Sequence, residues 1–307
     1  MKKKKVALLV GGMSAEREVS LSTGKGFEKA LIELGYPYVV IDAGPELPKQ
    51  LMEHKPDVAL LALHGKYAED GIVQGICEYL KIPYSGSGVL SSATCMDKIF
   101  TKEILINHGI PTPKYEIKNF NNSATSKDLK LPLPVVIKPS REGSSVGVSI
   151  VKTENEIIPA LEMARTYDKH VLIEEFIPGM ELTVAVLNDL ALTPIEIVPK
   201  VDYYNYKNKY TAGQTEYILP ARLPEKTLEQ IKTHAVEAAK VLRVRSYCRV
   251  DFRVNPQGLS YIMEVNTLPG CTPTSLLPKA AAHMGIPFSR LIEILVEGAA
   301  LDYAGVK

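Results

Sequence analysis

The first apolar positions form an unbroken run at 5–10 (KVALLV), which stops at the polar GGMSAERE. A stretch with helical spacing follows over 19–34, then an apolar run at 37–42, a helical segment at 45–54 and a third run at 57–63 (DVALLAL). Apolar runs without polar alternation mark strands buried on both faces, and strands separated by helices pair in parallel. The pattern predicts a parallel α/β sheet as the first domain, 1–96.

The pattern changes at Lys98. KIFTKEILINHG reads as a helix stopped by Gly109, with IPTP beyond it. In LPVVIKPSREGSSVGVSIVK two apolar runs flank a glycine- and serine-rich loop, which predicts a hairpin with a long tip. A helix at 154–166 and a strand at 170–175 (HVLIEE) follow, and FIPG at 176–179 closes a central segment, 97–182. In the remaining 183–307, residues 200–220 have no apolar period yet hold five tyrosines. That is too aromatic for plain disorder and reads as a lid loop without secondary structure. A helix at about 224–242 and a hairpin at 247–266, turning at NPQG, complete the pattern.

Composition narrows the classes. With 46% apolar and 23% charged residues in 307, the chain reads as an ordinary globular protein of two or three domains. A net charge of +1 gives no electrostatic case for nucleic acid. No run approaches the roughly 20 apolar residues of a membrane span. VALLV after MKKKK is too short for a secretory segment, so a solvated end leading into a strand is expected. Cys77, Cys95, Cys248 and Cys271 lack CxxC spacing, which argues for buried thiols in a reducing cytoplasm rather than a zinc or redox site.

Several residues are candidates for chemistry. If the 247–266 hairpin turns at Pro256-Gln257, residue 249 faces 264, and Arg249, Asp251, Glu264 and Asn266 share one face with Ile262 among them. A bulge would shift that parity. Two carboxylates and an amide oxygen suit magnesium; a surface charge cluster is the equal alternative. REGSSVG is either an anion-binding nest or a hairpin tip, and it is not a P-loop. Lys138 enters that loop, as a phosphate ligand or a solvated lysine. GGMSAEREVS lacks the dinucleotide fingerprint. Glu16 either complements a helix dipole or awaits a substrate ammonium. His64, at a strand end, is either structural or functional.

Seven segments, in order, resemble the D-alanine–D-alanine ligase family of the ATP-grasp superfamily: GGMSAEREVSL, ALHGKYAEDG, YSGSGVLSSATCMDK, VIKPSREGSSVGV, LIEEFIPGMELTVAV, RVDF and EVNTLPGCTPTSLLP. The resemblance implies an α/β ATP-grasp fold, with an N-terminal parallel α/β domain and two α+β subdomains clasping ATP. It implies ATP-dependent joining of two D-alanines through an acyl phosphate, for peptidoglycan precursors. It assigns Lys98, Lys138 and Ser145 to the phosphates, and Glu174, Glu175, Ile177 and Glu181 to the rest of the nucleotide. Asp251, Glu264 and Asn266 take two magnesium ions, with manganese as a substitute. Glu16, Ser144 and Tyr210 seat the first D-alanine. Arg249 and the Gly270 N–H form the oxyanion hole. His64, Lys209, Ser275 and Leu276 meet substrate. Tyr210 favours a dipeptide over a D-lactate product. Ser246 and Cys248 stand where the family often has glycine and alanine, and Cys271 follows the oxyanion glycine. A cytoplasmic homodimer is the implied form.

Overall fold

A computed structural model describes residues 3–119, 129–200 and 215–303. The first layer is a parallel sheet in the order β2 (Tyr38–Asp42), β1 (Val6–Val10), β3 (Val58–Leu61). Every residue of β1 and β3 is buried, as their unbroken apolar runs require. Helix α1 (Arg17–Glu33) lies against β1 with Phe27, Ala30 and Leu31 inward. Its Gly24 permits the approach, since a Cβ there would stand 2.4 Å from Val10 Cγ1. Helices α2 (Leu47–His54), α3 (Ile72–Tyr79) and α4 (Val89–Met96) complete this part of the chain.

Helix α5 (Lys98–Asn107) follows, its N-terminus capped by Asp97, whose carboxylate accepts from the Ile99 N–H. An antiparallel sheet then runs β4 (Tyr115–Asn119), β7 (His170–Glu175), β5 (Val135–Pro139), β6 (Ser149–Val151). One face, through Val135, Ile137, Val171 and Ile173, packs on α6 (Ile157–Arg165). Strand alternation turns Lys138 and Glu174 to the opposite face.

The third sheet is antiparallel: β11 (Thr215–Ile218), β10 (Ile195–Pro199), β8 (Met180–Leu187), β12 (Tyr247–Val254), β13 (Ser260–Asn266), with β9 (Leu190–Ala191) also on β8. Helix α7 (Glu225–Val241) covers one face through Leu228, Ile231 and Ala235, against Val184, Val250 and Phe252. Leu105 of α5 joins the same cluster. Helices α8 (Leu276–His283) and α9 (Phe288–Glu297) bring Leu277, Ala280, Leu291, Ile292 and Leu295 back into the core of the first sheet.

Two expectations are corrected. Residues 215–218 are strand rather than loop: TEYI pairs antiparallel with β10. Residues 201–214 of the expected lid, with Lys209 and Tyr210, lie outside the described residues. The 247–266 hairpin turns over 255–259, where the Asn255 side chain accepts from the Gln257 and Leu259 N–H groups. Arg249 therefore faces Asn266, and Asp251 faces Glu264. A register shift beyond that pair leaves Met263 unopposed and places Ile262 across from Phe252 in the core, so Ile262 leaves the polar face.

Candidate active site

Arg249, Asp251, Glu264 and Asn266 occupy the face of the third sheet turned away from α7, as two directly opposed pairs. A cavity of about 810 Å³ opens in front of them. Its lining includes Arg249, Glu264, Asn266 and Gly270, together with Glu16, His64, Lys98, Ser144, Ser275 and Leu276. Residues far apart in sequence thus converge on one space, from the first sheet, α5, the 140–148 loop, the hairpin and the start of α8.

Glu16 precedes the first turn of α1 but makes no capping bond to it. Its carboxylate instead accepts from Ser144 Oγ at 2.5 Å, joining the first layer to the glycine-serine loop. Gly65, at φ +74°, passes beside that carboxylate; a Cβ there would stand 2.9 Å from Oε2. Ser144 and Ser145 both have positive φ, 53° and 60°, a conformation L residues rarely adopt. The loop is therefore a specified shape rather than a slack tip. Glu142 in it pairs with Lys66 of the first layer.

Lys98, the first residue of α5, donates to the Glu142 carbonyl at 2.7 Å and stands 3.3 Å from Glu264 Oε2. It links the loop to the hairpin. Asp251 accepts Nε and Nη2 of Arg249 at 2.8 and 2.7 Å, and Thr183 Oγ1 at 2.6 Å. The resemblance assigns Arg249 and Asp251 to different ligands; here each is the other's partner. His64 is buried, with Nδ1 3.2 Å from the Leu268 carbonyl and Nε2 3.0 Å from Thr23 Oγ1. A carbonyl only accepts, so Nδ1 carries a proton. The histidine is thus both a structural tie and a wall of the cavity. Ser275 Oγ accepts from the Thr272 N–H at 3.1 Å and fixes the turn after Gly270.

Lys138, Ser145, Glu174, Glu175, Ile177, Glu181 and Asp251 are not among the lining residues of that cavity. Glu174 is fully buried on β7, with Lys138 Nζ at 2.6 Å and Lys102 Nζ at 2.9 Å. Burial pushes the Glu174 carboxyl up, and the two ammonium groups outweigh it, holding it below the ordinary value. Glu175 accepts from the Lys114 N–H, the Ile177 carbonyl accepts Arg253 Nε, and Glu181 is 3.5 Å from Arg253.

Sequence reasoning missed Lys66, Lys102, Glu142 and Lys279. Lys279 lines the cavity, 4.3 Å from the centre of the Tyr217 ring, and burial lowers its pKa. Its spacing of four from Ser275, one helical turn, was the available signal. Cys271 is buried and burial pushes its thiol up, which disfavours the reactive thiolate.

Among the described residues, no three His, Cys, Asp or Glu side chains cluster closely enough to hold a metal unaided. Asp251, Glu264 and Asn266 nonetheless offer hard oxygen donors on one face, and magnesium takes few protein ligands and completes its shell with water and phosphate. The donor set fits that ion. Among the described residues no helix is long and apolar enough to cross a membrane.

Comparison with known proteins agrees over nearly the whole chain. The family pattern described as D-ala D-ala ligase C-terminus matches residues 104–297, and D-ala D-ala ligase N-terminus matches 43–87. A D-alanine–D-alanine ligase of Geotalea uraniireducens is 46% identical over 301 residues, 98% of this chain and 97% of its own length. One from Syntrophotalea carbinolica is 48% identical over 302 residues, 98% of each chain. The crystal structure of D-alanine–D-alanine ligase from Bacillus anthracis complexed with ATP superposes with a TM-score of 0.84 at 36% identity, covering 96% of this chain and 97% of that one. The three sheets are those of the ATP-grasp fold, and the chain belongs to the D-alanine–D-alanine ligase family.

Proposed function

We propose that this protein joins two D-alanines at the expense of ATP, forming D-alanyl-D-alanine for peptidoglycan synthesis. The observation that carries the reading is the convergence of Glu16, Ser144, Lys98, Arg249, Glu264, Asn266 and Gly270 on one cavity. The Glu16 carboxylate, held by Ser144, receives the ammonium of the first D-alanine. Lys98, Lys138 and Ser145 hold the ATP phosphates, while Glu174, Glu175, Ile177 and Glu181 hold the rest of the nucleotide. The substrate carboxylate attacks the γ-phosphorus, giving an acyl phosphate and ADP. The amine of the second D-alanine, met by Ser275 and Leu276, attacks the acyl carbon and phosphate leaves. Arg249 and the Gly270 N–H stabilise the oxyanion formed in that step. Asp251, Glu264 and Asn266 would hold magnesium, which would supply charge neutralisation at the phosphates. Lys209 and Tyr210 complete the second and first substrate positions, and the active form is a cytoplasmic homodimer.

The test is phosphate release from ATP and magnesium with D-alanine, with L-alanine, or with D-alanine plus D-lactate, products being identified by mass. A dipeptide from D-alanine alone supports the reading. Release only with another acceptor replaces the substrate, and ATP binding without release in any mixture makes the chain a nucleotide-binding protein without catalysis.

A further inference from the structure

Lys102 lies on α5, where a helical lysine ordinarily reaches solvent, yet it is 1% exposed. Its ammonium donates to Thr112 Oγ1 at 2.6 Å and to the Pro113 carbonyl at 3.0 Å, and stands 2.9 Å from Glu174 Oε1. Thr112 in turn donates to the Ile262 carbonyl of β13 at 2.8 Å. The Tyr115 ring lies beneath the ammonium, its centre 5.4 Å away. The other oxygen of Glu174 is 2.6 Å from Lys138 Nζ.

One buried carboxylate thus faces two buried ammonium groups. Burying charge is costly, and a structural pair needs only one of each sign. The second lysine leaves the trio with one net positive charge, with the Glu175 carboxylate a weaker neighbour of Lys102, and burial lets an anion near Lys138 feel that charge. Lys102 is also the better anchored of the two, with Thr112 and Pro113 as further acceptors.

We propose that Lys102 is a positioning residue for nucleotide binding: by neutralising Glu174 from behind, it leaves the charge of Lys138 for the phosphates of ATP. The proposal rests on the nucleotide assignment above. Without Lys102, Glu174 and Lys138 form a neutral pair and Lys138 is spent on the carboxylate.

The test is the affinity of Lys102→Met for AMP-PNP and for adenosine, by calorimetric titration beside the parent. The expected result is AMP-PNP affinity lower by about tenfold, the scale of one charge-assisted contact, with adenosine affinity unchanged because adenosine has no phosphate. In turnover, KM for ATP rises while kcat stays within about twofold. Equal weakening of both ligands, which a merely structural role would give, overturns the proposal, as does no change in either. If Lys102→Met does not fold, Lys102→Gln, which removes the charge but keeps an N–H donor towards Thr112 and Pro113, takes its place with the same expected and overturning results. Failure of the parent itself to bind AMP-PNP strikes the nucleotide assignment instead.

Discussion

Arg249 and Asp251, two residues apart on one face of β12, are joined by two parallel bonds of 2.8 and 2.7 Å. A guanidinium held in this way keeps its plane and position without substrate, which suits a group that must meet charge as it develops. Arg249→Ala is expected to lower turnover by about 100–1000-fold, the usual loss for one oxyanion donor. A phosphate-release assay reads it, and turnover within a few-fold of the parent removes Arg249 from the oxyanion hole.

The Glu16–Ser144 bond ties the first layer to the glycine-serine loop, at the place proposed above for the first D-alanine. Glu16→Gln keeps the shape and removes the charge. The expected outcome is a KM for the first D-alanine raised by about tenfold or more, from loss of a charged hydrogen bond, with nucleotide affinity unaltered. Initial-rate kinetics separate the two, and an unchanged D-alanine KM shows that Glu16 is a structural clasp only.

All four cysteines are buried, and burial pushes Cys77 and Cys95 up to about 12. Cys248 and Cys271 are raised as well. Thiolate is the reacting form, so the folded enzyme is expected to resist DTNB and keep its activity, whereas denatured chain reacts fully. Rapid inactivation tracking one modified thiol shows instead that a buried cysteine is reached, and Cys95, which lines the cavity, is the first to map.

Asp168 accepts Nε and Nη2 of Arg141, at the mouth of the glycine-serine loop, and the His170 N–H. Burial pushes its carboxyl up, but these donors outweigh burial and leave it below its ordinary value. A carboxylate depressed in the folded state stabilises above its unfolded pKa of about 3.9, and that stability is lost as pH falls through the folded value. Asp168→Asn is expected to melt lower than the parent at neutral pH, with the gap closing in acid below about pH 4. Parallel melting curves at all pH values show the pair to be neutral in stability.

Gly24 lets α1 approach β1, and its Cβ has no room beside Val10. Gly24→Ala is expected to cost about 1–3 kcal/mol through overpacking, despite the higher helix propensity of alanine. Urea denaturation measures it, and a variant as stable as the parent shows that the helix can shift.

Local pattern was enough for the elements that local forces decide. The apolar stretches 6–10 and 58–63 within those runs betray strands because a strand buried on both faces carries no polar residue. Helix α5 shows in its Gly109 stop, while its Asp97 cap came to light only in the structure. The hairpin parity came out nearly right, but the Met263 bulge is one residue that no periodicity encodes. The strand 215–218 was hidden because TEYI is only half-buried and borrows its order from β10. Four candidate site residues were legible only as a face of a hairpin. Other charges around the site, Lys66 paired with Glu142 of the loop and Lys102 behind Glu174, look like ordinary surface charges until the chain is folded.

Leu291, Ile292 and Leu295 of α9 close the core that β1 and β3 open. On the ribosome, therefore, the first sheet emerges early and waits with bare apolar surface until residues 288–297 have left the exit tunnel. A product that stops before α9 leaves that apolar surface bare, the condition in which partly folded chains meet proteases and chaperones.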